Sequence, residues 1–233
     1  MNFALPQFKL AFILIPKVGS STCMEKMGWM LGVPDIDGED QNIKRKRVSD
    51  AIPCQGLAPV QLMELRDKGW EIVSFVRDPG RRAFSCWTDK IMPDPFDCPG
   101  YTDGVENSFL PYGDLFWPKM EFLPFVKSIC AIPDHQSDHH FASQSAFLKG
   151  GGGALIPTRL WPLGDMAQAW SWIASLLIMP QIMEPAHLHR RGDGFKGLRF
   201  SDHFTEEIEA LLRVRYAEDY EVLMEMGKDA LQV

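Results

Sequence analysis

"LAFILIPKVGSST", residues 10–22, sets the reading of the whole chain. Leu10 to Ile15 is an unbroken apolar run, as expected of a strand buried on both faces. Pro16 ends it, and Lys17, Val18, Gly19, Ser20, Ser21 and Thr22 follow. From Ser21 to Leu31 the apolar residues Met24, Met27, Trp29, Met30 and Leu31 fit a helix closed by Gly32 and Pro34. The order is strand, tight loop, helix. In α/β sheets ligands bind beyond the carboxyl ends of strands, where this loop falls. Its parts suit an anion with many oxygens: N–H groups of Gly19 to Thr22, a helix N-terminus, the charge of Lys17 and three hydroxyls. The pattern is not a Walker A loop, whose lysine follows the last glycine. A plain turn with a serine N-cap and a solvated lysine would use the same residues.

The same unit recurs downstream. Pro59 to Lys68 reads as a helix, Trp70 to Val76 as a buried strand, "RDPG" as a turn and Arg81 to Ile91 as a helix. This alternation predicts an α/β fold of three layers, α/β/α, around a central parallel sheet. Arg77 ends the strand, and Ser85 sits two turns into the helix. The planar fork of an arginine suits phosphate, so the pair could converge on a second anion. The competing reading is an ordinary turn with Arg82 paired to a carboxylate. Elsewhere, 34–56 reads as a loop or irregular insertion and 92–118 as a long loop, a candidate lid over an acceptor site. Helices are expected at Phe116 to Cys130, Asp165 to Ile178 and Phe204 to Leu231. Gly150 to Gly153 reads as a flexible join or hairpin tip, and Leu155 to Leu163 as a strand.

The 233 residues suit one domain, 1–233, with a substantial core. Apolar residues at 45% and charged residues at 24% are ordinary globular usage. A net charge of −7 argues against a nucleic-acid partner. Five cysteines without a CxxC fit reduced thiols better than a disulfide framework. The stretch Ala167 to Met179 is too short to span a bilayer, so no transmembrane segment is expected and the location is read as cytoplasmic. The oligomeric state is not readable.

Taken together, PKVGSST and FVRDPGRRAFS resemble the sulfotransferases that use 3′-phosphoadenosine 5′-phosphosulfate, most closely the carbohydrate sulfotransferases of the chondroitin and dermatan type. Weaker likenesses run on through Lys90, Asp138 to Gln144 (the family's D-x-H-W-x-P-Q, with Phe141 and Ser143 as departures) and Thr158-Arg159-Leu160, where Trp161 replaces an acidic residue. They end with His187-Leu188-His189-Arg190 and "RYAEDYEVL" at 215–223. The resemblance implies a P-loop NTPase-like sulfotransferase fold. It implies that Lys17, Val18, Gly19, Ser20, Ser21 and Thr22 bind the 5′-phosphosulfate, that Arg77 and Ser85 bind the 3′-phosphate, and that Arg190 joins the donor site.

The implied reaction moves a sulfuryl group to a hydroxyl of a carbohydrate, glycolipid or similar acceptor, leaving 3′-phosphoadenosine 5′-phosphate. Protein cations neutralise the leaving group, so no metal is expected. Lys17 acts at the reacting group, and His140 is the expected base, with His135 and His139 as alternates. A metal site of Asp134, His135, Asp138 and His139 is the competing reading of that segment. The run Lys44-Arg45-Lys46-Arg47 could hold an acidic glycan or be a solvated loop. Trp87, Phe96, Tyr101, Phe109, Tyr112, Phe116 and Trp117 could stack on sugars or form core. A kinase using ATP and Mg²⁺ and a silent nucleotide- or glycan-binding module are the rival functions.

Overall fold

The computed structural model describes residues 1–36, 39–92, 105–178 and 197–226. It forms an α/β fold whose five-stranded sheet is mixed. The chain divides into two compact units: Met1–Val76 with Phe147–Arg190, and Arg77–Ala146 with Arg191–Gln232.

The first unit holds the sheet. Strands β1 (Asn2–Leu5), β2 (Leu10–Ile13), β3 (Cys54–Gln55), β4 (Glu71–Val76) and β5 (Arg159–Pro162) stand in the order β3-β1-β2-β4-β5. β2, β4 and β5 are parallel, as expected; β1 and β3 are antiparallel additions. The expectation of a parallel sheet is corrected at that edge. Pro6 and Lys9 look like strand breakers, yet they build the hairpin that returns the chain. Pro6 starts a 3-10 turn, and Lys9 closes it in left-handed backbone, φ 49°. All four β2 residues are buried, which is why the run carries no alternation. Ser74, buried in β4, satisfies its hydroxyl on the Ile13 carbonyl at 2.7 Å.

Helices α1 (Ser20–Met30), α2 (Gln41–Ala51), α3 (Pro59–Asp67) and, after β5, one over Met166–Leu177 complete this unit. The reading of 34–56 as a loop is corrected by α2 and β3. α2 has almost no apolar face; Val48 reaches into the core, and a Cβ on Gly28 would meet its Cγ2 at 2.8 Å. α1 and α2 therefore meet closely only because residue 28 is glycine. Gly150 to Gly153 forms a hairpin tip, with Gly150 N–H donating to Ala154 at 2.9 Å. The strand expected over 155–163 contracts to β5.

The second unit is helical: α4 (Pro79–Lys90), α5 (Val105–Ser108), α6 (Phe122–Ala131), α7 (Ser145–Leu148, shared with the first unit), α9 (Phe200–His203), α10 (Glu206–Arg215) and α11 (Ala217–Glu225); the first unit's Met166–Leu177 helix is α8. Its core gathers Trp87, Phe109, Phe116, Phe125, Phe141 and Leu212. Within 92–118 the described part is thus α5, a 3-10 stretch over Leu110–Leu115 and core aromatics. Phe109, Phe116 and Trp87 are core and not sugar platforms; Phe96 and Tyr101 lie outside the described residues. The helix expected from Phe116 begins at Phe122. The long last helix expected from Phe204 is two helices in its described part, α10 and α11. Thr205 caps α10, its hydroxyl accepting from Ile208 N–H at 3.3 Å, and Tyr216 interrupts it at φ −116°, ψ 35°.

Candidate functional site

The loop between β2 and α1 turns on two left-handed residues, Lys17 at φ 68° and Gly19 at φ 73°. For Gly19 this conformation is inexpensive. A Cβ there would stand 2.3 Å from Met166 Cε and 2.9 Å from Leu163 Cδ1, so the loop and the start of α8 are closely apposed. For Lys17 the same conformation costs on the order of 1 kcal/mol. Val18 is buried and its N–H donates to Ile15 at 3.3 Å, anchoring the turn, while Lys17 and Ser20 to Thr22 stay partly exposed. The first turn of α1 holds no acidic residue, so its N–H groups and dipole meet no carboxylate from that turn.

The basic run belongs to α2, and most of it is engaged by acids. Lys44 contacts Asp35 at 2.7 Å and Glu25 at 3.4 Å, Arg47 contacts Glu39 at 2.6 Å and Lys46 contacts Asp50 at 2.8 Å. Arg45 differs: its guanidinium donates to Ser21 Oγ. It brings a second cation to the first turn of α1, a contribution that the sequence concealed because the run looked like loop.

In the second unit, Arg77 and Asp78 lead into α4. Asp78 caps the helix, accepting from Arg81 N–H at 2.8 Å, and Pro79 takes the first turn. Burial, with Arg81 and Arg82 on one side of the balance and Asp78 on the other, pushes the Arg77 pKa down to about 10. Ser85 lies on α4, partly exposed. Lys90 is buried, 3.9 Å from Asp89. Arg82 donates to the carbonyls of Ala142 at 2.6 Å and His139 at 3.2 Å.

Those carbonyls belong to the segment that carries His140. This segment is held by side chains from every direction. Tyr216 donates to Phe141 O at 2.6 Å, Asp134 accepts from Ser143 N–H at 2.8 Å and from its hydroxyl, and Asp219 accepts from Gln144 N–H at 2.9 Å and Ser145 N–H at 2.7 Å. Asp134 is itself held by Arg215 at 2.7 Å. Backbone groups that would otherwise be buried and unsatisfied thus find partners from α4, α10 and α11 and the junctions beside them.

Within the segment Asp138 organises the histidines. It accepts from His140 N–H at 2.8 Å and contacts His140 Nδ1 at 2.6 Å and His139 Nδ1 at 3.3 Å. Burial raises the Asp138 carboxyl, but these hydrogen bonds outweigh it and hold the pKa well below the usual carboxylate range. An ionised Asp138 places the proton of neutral His140 on Nδ1 and its basic lone pair on Nε2. Side-chain ligand atoms of Asp138, His139 and His140 lie within 4.8 Å of one another, the one such cluster among the described residues. The alternative set with Asp134 and His135 is not assembled: Asp134 is committed to Ser143 and Arg215, and His135 meets Gln136 at 3.2 Å. Arg190 and the His187 to His189 motif lie outside the described residues, and Trp161 occupies β5 with its ring 6.4 Å from Trp172.

No helix among the described residues is long and apolar enough to cross a membrane. No protein-family model, curated protein or solved structure matches the chain.

Proposed function

We propose that this α/β protein is a sulfotransferase of the P-loop-like fold that uses 3′-phosphoadenosine 5′-phosphosulfate and sulfates a hydroxyl of a carbohydrate or glycan-like acceptor. The observation that carries the reading is Lys17. A cationic residue is kept in a costly left-handed conformation, shortly before a helix start without acids, with Arg45 of α2 as a second cation at Ser21 in the first turn of that helix. Lys17, Arg45 and the loop N–H groups would bind the 5′-phosphosulfate. Arg77 and Ser85 would bind the 3′-phosphate.

In the proposed step the acceptor oxygen attacks sulfur in line and forms a new S–O bond. The bond from sulfur to the donor phosphate oxygen breaks, and its electron pair leaves with 3′-phosphoadenosine 5′-phosphate. His140 takes the acceptor proton at Nε2, with Asp138 fixing the tautomer. Lys17 stabilises the charge that builds on the leaving oxygen.

Transfer of ³⁵S from the labelled nucleotide to a panel of glycan and small hydroxyl acceptors tests the proposal. Labelled product should form, and His140→Ala should lower turnover by about 10²–10⁴-fold while leaving donor affinity within about twofold. Transfer undiminished in His140→Ala would remove the base assignment. Labelling that ATP can replace with its γ-phosphate would replace the sulfotransferase reading with a kinase.

A further inference from the structure

Gln144 has no role in the proposed donor site, yet both ends of its side-chain amide are engaged. It is 1% exposed. Its side-chain Oε1 accepts from Arg77 N–H at 2.9 Å, and its Nε2 donates to Arg77 O at 2.8 Å. One amide therefore pairs with both backbone groups of one residue, as a neighbouring strand would. It does so at Arg77, where β4 has ended and α4 has not begun, so neither element fixes that backbone. Gln144 is in turn held by Asp219 of α11, which accepts from its N–H at 2.9 Å and stands 3.4 Å from Nε2. Asp219 is 2% exposed and also accepts from Ser145 N–H. With Oε1 turned to Arg77 N–H, Nε2 necessarily faces the two acceptors, so only one amide orientation satisfies every group.

We infer that Gln144, steadied by Asp219, is a positioning residue for Arg77 and thereby sets selectivity for a nucleotide that carries a 3′-phosphate. The inference rests on the proposed donor site. A partly exposed arginine beside Arg81 and Arg82 needs a fixed backbone if its planar fork is to meet a phosphate at hydrogen-bond distance. Without the clamp the residue can turn its guanidinium to other partners, and recognition of the second phosphate goes first.

The test compares 3′-phosphoadenosine 5′-phosphate with 5′-AMP, which lacks only the 3′-phosphate. Affinities are measured by calorimetry for the wild type, Gln144→Met and Asp219→Asn, alongside thermal melts. Gln144→Met keeps the volume and loses both bonds. It should weaken the bisphosphate by about tenfold and AMP by less than about twofold, collapsing the ratio. Asp219→Asn should shift the ratio in the same direction by less, and it carries the comparison if Gln144→Met fails to fold. An unchanged ratio, or equal loss of both nucleotides with a lowered melting temperature, overturns the inference and leaves only a structural role. A wild type that binds both nucleotides equally instead overturns the donor-site reading beneath it.

Discussion

Lys17 and Gly19 share a left-handed backbone, but only one of them is glycine. The difference separates stability from function at a single position. Lys17→Ala keeps the unfavourable φ, whereas Lys17→Gly removes it. The glycine variant should be more stable than the alanine variant by about 1 kcal/mol in urea unfolding, since a Cβ in this region costs roughly that much. Both should lose affinity for the donor nucleotide, because both lose the charge. Equal stability would show that the loop does not hold this conformation in solution. Asp138 acts at the same scale: two imidazoles and one backbone N–H converge on it, and this order is what gives His140 a defined basic nitrogen.

At the scale of elements, the decisive feature is how the 138–145 segment is held. A helix satisfies its own backbone and a strand uses its neighbours; this segment depends on Arg82, Asp134, Tyr216 and Asp219. Tyr216 serves twice, because the break it makes between α10 and α11 also directs its hydroxyl to Phe141. Asp134 gives the arrangement a pH signature. Burial raises its carboxyl, but bonds from Ser143 and Arg215 outweigh it and lower the pKa. A depressed carboxylate contributes stability above the unfolded value of about 4 and loses that contribution as pH falls through the folded value. Asp134→Asn should therefore destabilise most near neutral pH, and the gap in urea midpoint should shrink as pH falls from about 5 towards 3. A gap that stays constant over that range would mean the Asp134 charge contributes nothing.

At the scale of the whole molecule, what could be read in the sequence divides by the range of the interaction. The β2–loop–α1 and β4–α4 units were legible because their signals are local: an apolar run, a glycine, a proline after an aspartate. β1 was hidden because Pro6 and Lys9 look like breaks until the antiparallel partner is known. α2 was hidden because its polar face is held by Asp35, Glu39 and Glu25, acids that lie before it in the chain. The supports of the His140 segment were not legible either, since Arg82 and Tyr216 reach it from far along the sequence in opposite directions. The likeness of "RYAEDYEVL" to a family pattern marked Tyr216 and Asp219 without giving either a task.

The central claim is that the chain selects a nucleotide phosphorylated at both the 5′ and 3′ positions. The most direct measurement is calorimetric titration of the wild type, Lys17→Ala and Arg77→Ala with 3′-phosphoadenosine 5′-phosphate, 5′-AMP and ATP. The account predicts that the wild type prefers the bisphosphate, that Arg77→Ala erases this preference and that Lys17→Ala weakens the bisphosphate and AMP alike. ATP binding as tightly as the bisphosphate, with Arg77→Ala unchanged, would contradict it.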